Sequence, residues 1–269
     1  MKTVNCSVLL QAGFDNGITS AITHVKQAGF DSVMLTLNSN LQNKDIKKVT
    51  NIGLHVDALH LPYNVPFKLI NTLWTCDAHD AMTILCQGVD LAVENKIPAV
   101  IVHASSGFNP PELNELGVHN YAHLSEYAKQ HNVVVAIENI KRFDYVEYLM
   151  ERIPSDNVKL CLDIGHANAY SHNLYSYDWD KLLDRLYCVH IHDNDGERDL
   201  HLMPGMGNID WNFVGRLLKR APNLASVMVE TYYCDRETYY PNKFSEGEFF
   251  QAAAESTKKF ICVGDANEE

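Results

Sequence analysis

Six positions place a histidine or a carboxylate at the end of a short apolar run: His60, His103, Glu138, Asp163, His192 and Glu230. His166 follows Asp163 by three residues, and the stretch after His192 adds Asp193, Asp195, Asp199 and His201. Singly these residues are ordinary. A strand-end histidine is usually exposed or hydrogen-bonded, and a strand-end Asp or Glu often only caps the next helix. Converging on one pocket, several carboxylates repel one another unless protons or a cation intervene. Imidazoles mixed with carboxylates suit Zn²⁺, Mn²⁺, Fe²⁺ or Co²⁺ rather than the oxygen-only cages of Ca²⁺. The chemistry on offer is that of a divalent metal, polarising an oxygen or activating water.

Those positions must be brought together by an alternation of elements. Strands are predicted over Val4–Leu10, Ser32–Leu37, Leu54–Leu59, Ala99–Val102, Val133–Glu138, Val158–Asp163, Leu186–His192 and Ala225–Glu230. All are rich in Val, Ile and Leu, as strands buried on both faces should be. Helices are predicted over Ile18–Ala28, Lys44–Asn51, Ala78–Glu94, Asn120–His131, Tyr145–Arg152, Trp179–Leu183, Trp211–Lys219 and Glu246–Phe260. The first follows Asp15-Asn16-Gly17, a capping cluster, and stops at Gly29. In the third, Ala78, Met82, Leu85, Val89 and Ala92 recur at helical spacing.

Eight strands alternating with eight helices read as an α/β fold, and at this length as a (β/α)₈ TIM barrel, one domain over residues 1–269. A doubly wound sheet is the alternative, but Leu10-Gln11-Ala12-Gly13 is not its Gly-rich phosphate turn. A barrel gathers its functional groups at the C-terminal ends of the strands, where the six residues fall. His190, two residues before His192, also faces inward but one level deeper, and reads as a core or supporting residue. His24, His55, His79, His119, His123, His131 and His172 fall away from that rim.

With 34 acidic and 22 basic side chains the formal charge is −12, which argues against a nucleic-acid partner. Seven scattered cysteines without a C-x-x-C pair, and no apolar signal segment after Met1, fit a reducing, cytoplasmic setting. The apolar runs are too short for a membrane span. Lys141, Arg142, Arg198 and Lys243 are the basic residues available near the rim for a phosphate or carboxylate. Three long connections, Leu61–Asp77, Ala104–Leu116 and Thr231–Ser245, exceed what a connector needs. The last carries Tyr232, Tyr233, Tyr239 and Tyr240, which could stack on a ligand face, form a lid or dimer surface, or only pack on neighbouring loops. Trp211, at the start of its helix, reads as structural.

The run His192-Asp193-Asn194-Asp195-Gly196, with Asp199-Leu200-His201 and Pro204-Gly205-Met206-Gly207-Asn208-Ile209-Asp210-Trp211, resembles the sugar phosphate isomerase/epimerase family. These are xylose isomerase-like barrels, whose superfamily includes endonuclease IV. The ordered resemblance runs from His60 to Glu230. It implies one metal held by Glu138, Asp163, His192 and Glu230, with His166 and Arg198 contacting substrate. By the same resemblance, the trinuclear zinc cluster of endonuclease IV adds His60, His103, His166, Asp199 and His201. One to three divalent ions per chain are thus implied.

The leading expectation is an isomerase or epimerase of a sugar, sugar phosphate or polyol, with Glu138 and Glu230 moving a proton through an enediolate. The rival is a multinuclear zinc hydrolase of phosphodiester or related bonds. Against it, Asn38-Ser39-Asn40-Leu41-Gln42 lacks the arginine and aromatic residues with which endonuclease IV enters DNA. A non-catalytic sugar-binding barrel is the third possibility, and a homo-oligomer is compatible with all three.

Overall fold

The eight apolar runs form β1 (Asn5–Leu10), β2 (Ser32–Thr36), β3 (His55–His60), β4 (Ala99–His103), β5 (Val134–Glu138), β6 (Val158–Asp163), β7 (Leu186–Ile191) and β8 (Ser226–Val229). Each strand pairs in parallel with the next and β8 returns to β1, closing the barrel. The computed structural model describes residues 4–10, 17–38, 41–62, 69–232 and 244–261. Asp15, Asn16, Tyr233, Tyr239, Tyr240 and Lys243 lie outside the described residues.

The helices are α1 (Gly17–Gln27), α2 (Asn43–Asn51), α3 (His79–Glu94), α4 (Glu115–Gln130), α5 (Phe143–Arg152), α6 (Ile164–Ala169), α7 (Trp211–Lys219) and α8 (Glu246–Ile261). Helix α4 begins at Glu115 rather than Asn120, because the Asn114 side chain accepts the Gly117 N–H at 3.0 Å and caps it. The helix expected over Trp179–Leu183 is instead two 3₁₀ turns, Trp179–Lys181 and Leu183–Arg185. The α-helix of that connection is α6, started directly after β6 when Asp163 accepts the His166 N–H at 2.6 Å. Among the described residues no helix is long and apolar enough to cross a membrane.

Strand alternation divides the apolar residues into two layers. Outward residues such as Val33, Leu35, Val100, Val102, Val135 and Ile137 pack with helix residues including Leu85, Val89, Leu124 and Phe250. Inward residues Leu9, Met34, Ala58, Ala99, Ile101, Ala136, Cys161, Cys188 and Met228 fill the barrel.

Two strands break the alternation. β3 pairs Val56 with Val33 and Ala58 with Met34, leaving Asp57 as an extra residue. β7 pairs Leu186 with Leu160 and Cys188 with Cys161, leaving Tyr187 extra. The bulge turns Asp57 into the barrel floor. There Ser32 Oγ and Ser226 Oγ donate to Asp57 Oδ2 at 2.5 and 2.7 Å, and Asn5 Nδ2 donates to Oδ1 at 3.0 Å.

Candidate functional site

The inward phase continues past the filled core. His60 stands two residues after Ala58, His103 after Ile101, Glu138 after Ala136, Asp163 after Cys161, His190 after Cys188 and Glu230 after Met228. Each therefore points into the top of the barrel, above the inward apolar layer. The strand ends are also in step: His103 pairs with Glu138, and Asp163 with His190.

Among the described residues four groups of metal donors result, the atoms of each within 4.8 Å of one another. Three share Glu138, one of them being Glu138 with Cys161 and His190. In the first of the other three, His60 Nε2 and His103 Nε2 lie 2.9 and 3.3 Å from Glu138 Oε2 and 3.1 Å from each other. The second joins Glu138, Asp163, His190 and Glu230. Here His190 Nδ1 is 3.2 Å from Glu138 Oε1, 3.2 Å from Glu230 Oε2 and 3.7 Å from Asp163 Oδ2. The third joins His166, His192, Asp199 and His201, with His166 Nε2 3.4 Å from Asp199 Oδ2 and His201 Nε2 3.1 Å from Oδ1.

The second group differs from the expected set in one member: the atoms within 4.8 Å include His190 where His192 was expected, and His190 pairs with Asp163 in the sheet. His192 stands past the end of β7, with Nε2 3.1 Å from Asp163 Oδ1 and Nδ1 3.8 Å from Asp199 Oδ1. Gly165 makes room for it, since a Cβ there would meet the His192 ring at 2.0 Å.

The donor chemistry fits a cation. His60, His166 and His201 turn Nδ1 to the backbone carbonyls of Leu61, Asn139 and Glu230, at 3.0, 3.1 and 2.7 Å. A carbonyl only accepts, so each Nδ1 carries the proton and a neutral ring has its lone pair on Nε2. Those lone pairs face carboxylate oxygens. Either the rings carry a second proton or a cation stands between. The buried His192 Nδ1 has no hydrogen-bond partner among the described residues and also points towards Asp199. Donors bound tetrahedrally at about 2.0–2.1 Å stand roughly 3.3 Å apart, close to the spacing in the first group.

The electrostatics of the site differ from one group to the next, and burial pulls the His103 imidazole down. Burial pulls the His166 imidazole down, but Asp163 and Asp199 outweigh it and push the pKa up to about 10. Burial likewise works against ionised Glu138, yet His190 and His103 hold it well below the usual carboxylate range. Asp199 is held low against its own burial by His166 and His201.

Surrounding side chains fix the frame. The Tyr121 hydroxyl reaches the His103 and Ala104 carbonyls at 2.6 and 3.0 Å, and Trp74 Nε1 donates to Ala104 O at 2.9 Å. Asn139 ties β5 to β6, donating to Asp163 O at 2.9 Å and accepting the Asp163 N–H at 2.8 Å. Asp193 is structural: it accepts N–H groups from Asn194, Gly205, Ile209 and the Trp211 indole at 2.8–3.2 Å. Rings of His192, His201 and Tyr232 stack, at 4.0 Å and 15° and then 3.9 Å and 8°.

The groups open into a cavity of about 500 Å³ whose lining includes His60, His103, Glu138, His166, Asp199, His201, Glu230 and Lys141. Arg198, expected to contact substrate, is not among the lining residues. It is 62% exposed, with Nη2 2.6 Å from Asp195 Oδ2, and Asp195 also accepts its backbone N–H. Arg142 is bound in a two-pronged pair to Asp144 at 2.6 and 2.9 Å. Sequence reasoning set aside His190, and nothing in the local sequence announced the bulge that places it.

A family model described as a xylose isomerase-like TIM barrel matches residues 22–252. The uncharacterised protein y4fM of Sinorhizobium fredii is 24% identical over 269 residues, covering 84% of this chain and 86% of that one. A probable endonuclease 4 of Mycoplasmopsis synoviae is 24% identical over 207 residues, covering 68% of this chain and 71% of its own. A D-tagatose 3-epimerase-like protein superposes with TM-score 0.72 at 19% identity, over 97% of this chain and 98% of its own. The IOLI protein with a zinc atom superposes with TM-score 0.73 at 16% identity, over 98% of this chain and 100% of its own. At those identities the structural likeness speaks to the fold. With the family model covering most of the sequence and the closed barrel beneath it, the chain belongs to the xylose isomerase-like TIM barrel family.

Proposed function

We propose that the chain is a divalent-metal-dependent isomerase or epimerase acting on a sugar or related polyol. The carrying observation is that two carboxylates, Glu138 at the end of β5 and Glu230 just after β8, meet one imidazole, His190, at 3.2 Å each, beneath a cavity of about 500 Å³ that has room for a sugar. The D-tagatose 3-epimerase-like protein among the structural neighbours supports this reading by analogy of fold alone.

The residues that would hold the cation are Glu138, Asp163, His190 and Glu230. A divalent ion held by them would supply Lewis-acid polarisation of a substrate carbonyl, which would acidify the adjoining C–H. Glu230, with 12% of its side chain exposed and lining the cavity, is set to remove that proton. Glu138, at 2% exposure, is the partner that would return one, starting in its acid form while Glu230 ends in its own. Between the two transfers the substrate carries the charge as an enediolate. His166, at the cavity wall, orients a substrate oxygen. The test is a panel of ketoses and aldoses incubated in D₂O with metal-loaded protein. Deuterium should enter the carbon beside the carbonyl. No exchange and no isomer from any member would overturn the reading.

A second reading has its own observation. His60, His103 and Glu138, and separately His166, His192, Asp199 and His201, supply more donors than one cation uses. That surplus supports a multinuclear hydrolase, as does similarity to a probable endonuclease 4. A polymeric nucleic acid fits poorly, because Lys141 is the only Lys or Arg among the described lining residues. Three zinc ions per chain, with phosphodiester cleavage and no isomerisation, would replace the first reading by this one.

A further inference from the structure

Four basic residues stood near the rim in the sequence, and the structure separates them. Arg142 and Arg198 are paired with Asp144 and Asp195, and Lys243 lies outside the described residues. Lys141 is different. Its Nζ rests 4.1 Å from the centroid of the Phe108 ring and 4.8 Å from that of Tyr170. The two rings meet edge to face at 5.7 Å. An ammonium on aromatic faces is held in place by the ring quadrupoles, yet keeps its full charge and its N–H donors for another partner.

The placement of this clip matters. Lys141 and Tyr170 line the cavity, and Tyr170 also stacks on His166 at 5.5 Å and 28°. The ammonium is thus no further from the His166 ring than two ring contacts in series. A short polyol chain spans such a distance. Phe108 is 56% exposed, so its ring is open to solvent beside the ammonium it contacts. Gly107 beside it also lines the cavity, and its φ of +79° is one that glycine adopts readily.

We infer that Lys141, clamped by Phe108 and Tyr170, is a specificity residue that binds an oxyanion, a phosphate or a carboxylate, carried by the substrate at the end away from the metal donors. This rests on the reading of the cavity as a sugar site and goes beyond it. The sugar named for the structural neighbour, tagatose, is uncharged, so the inference sets this chain apart from it. The carboxylates of the rim would repel such a ligand, and Lys141 supplies the attraction that lets the anionic end lie beside them.

The experiment is calorimetric titration of the metal-loaded protein with a ketose, its terminal phosphate ester and the corresponding uronate. Wild type, Lys141→Met, Lys141→Arg and Phe108→Ala are compared. In the wild type at least one anionic ligand should bind ten-fold or more tightly than the neutral ketose, and which one does so identifies the oxyanion. Lys141→Met should close that gap, Lys141→Arg should keep most of it, and Phe108→Ala should narrow it by loosening the clamp. Turnover on the same ligands separates the two layers. An anion preference that depends on Lys141 without any turnover keeps the specificity assignment and removes the isomerase reading. Turnover with no anion preference, a gap that survives Lys141→Met, or no binding of any ligand overturns the inference.

Discussion

At the floor of the barrel Asp57 receives three neutral donors, from Ser32, Ser226 and Asn5. At the rim Glu138, Asp163, Asp199 and Glu230 instead face imidazole nitrogens that are as ready to accept as to donate. Both ends bury carboxylates, yet both oxygens of Asp57 have fixed hydrogen-bond donors, whereas at the rim Asp163 Oδ2 and Glu230 Oε2 have none among the described residues. The floor is built to hold the strands together. The rim is built to be completed from outside, and carries unfavourable contacts until it is.

Four measurements press on that contrast. Glu138→Gln is the most severe at the rim, since Glu138 belongs to the first two donor groups and is the proposed proton carrier. Turnover should fall about 10³-fold, with metal content reduced and the fold intact by circular dichroism; full activity would refute the proton role. Chelation comes next. Stripping metal should lower stability by about 3–4 kcal/mol for an ion held 100- to 1,000-fold above its Kd, and scanning calorimetry reads the loss.

Asp57→Ala should cost roughly 2–3 kcal/mol, because it strands buried donors on three strands. It should leave metal content unchanged. A drop in bound metal would show that floor and rim are not separable. Ser226→Ala, which removes one of those donors, should cost about 1 kcal/mol; denaturant titration can resolve it, and the chelation effect should be the same in this variant as in the wild type.

Much of the layout is legible in the sequence because strand alternation and barrel closure are both periodic. Once Ile101 is inward, His103 must be, and the same count leads from Ala136 to Glu138 and from Met228 to Glu230. What escapes that count is anything one residue out of period. The extra residue at Tyr187 sets the face of His190 and His192 together, and no propensity marks it; what separates the two is the end of β7 at Ile191. Local polar bonds escape it too. Asp163 starts α6 where the longer apolar run at Trp179 drew attention, and Asp195 holds Arg198 at a distance of three residues. Lys141 stood with its neighbours as one basic residue among several until its two rings, far apart in sequence, closed on it.

The bulges at Asp57 and Tyr187 both lie below the level of the donors. The upper half of β3 and of β7 is therefore set in phase independently of the lower half. In terms of descent, the chain has crossing points: a segment below the bulge can be exchanged with that of a relative without turning a ligand out of the barrel, provided the residue count is kept. Loss of the single residue at 187 would rotate His190 and His192 together. Exchange that keeps the residue count and deletion that changes it would thus have opposite consequences at these two positions.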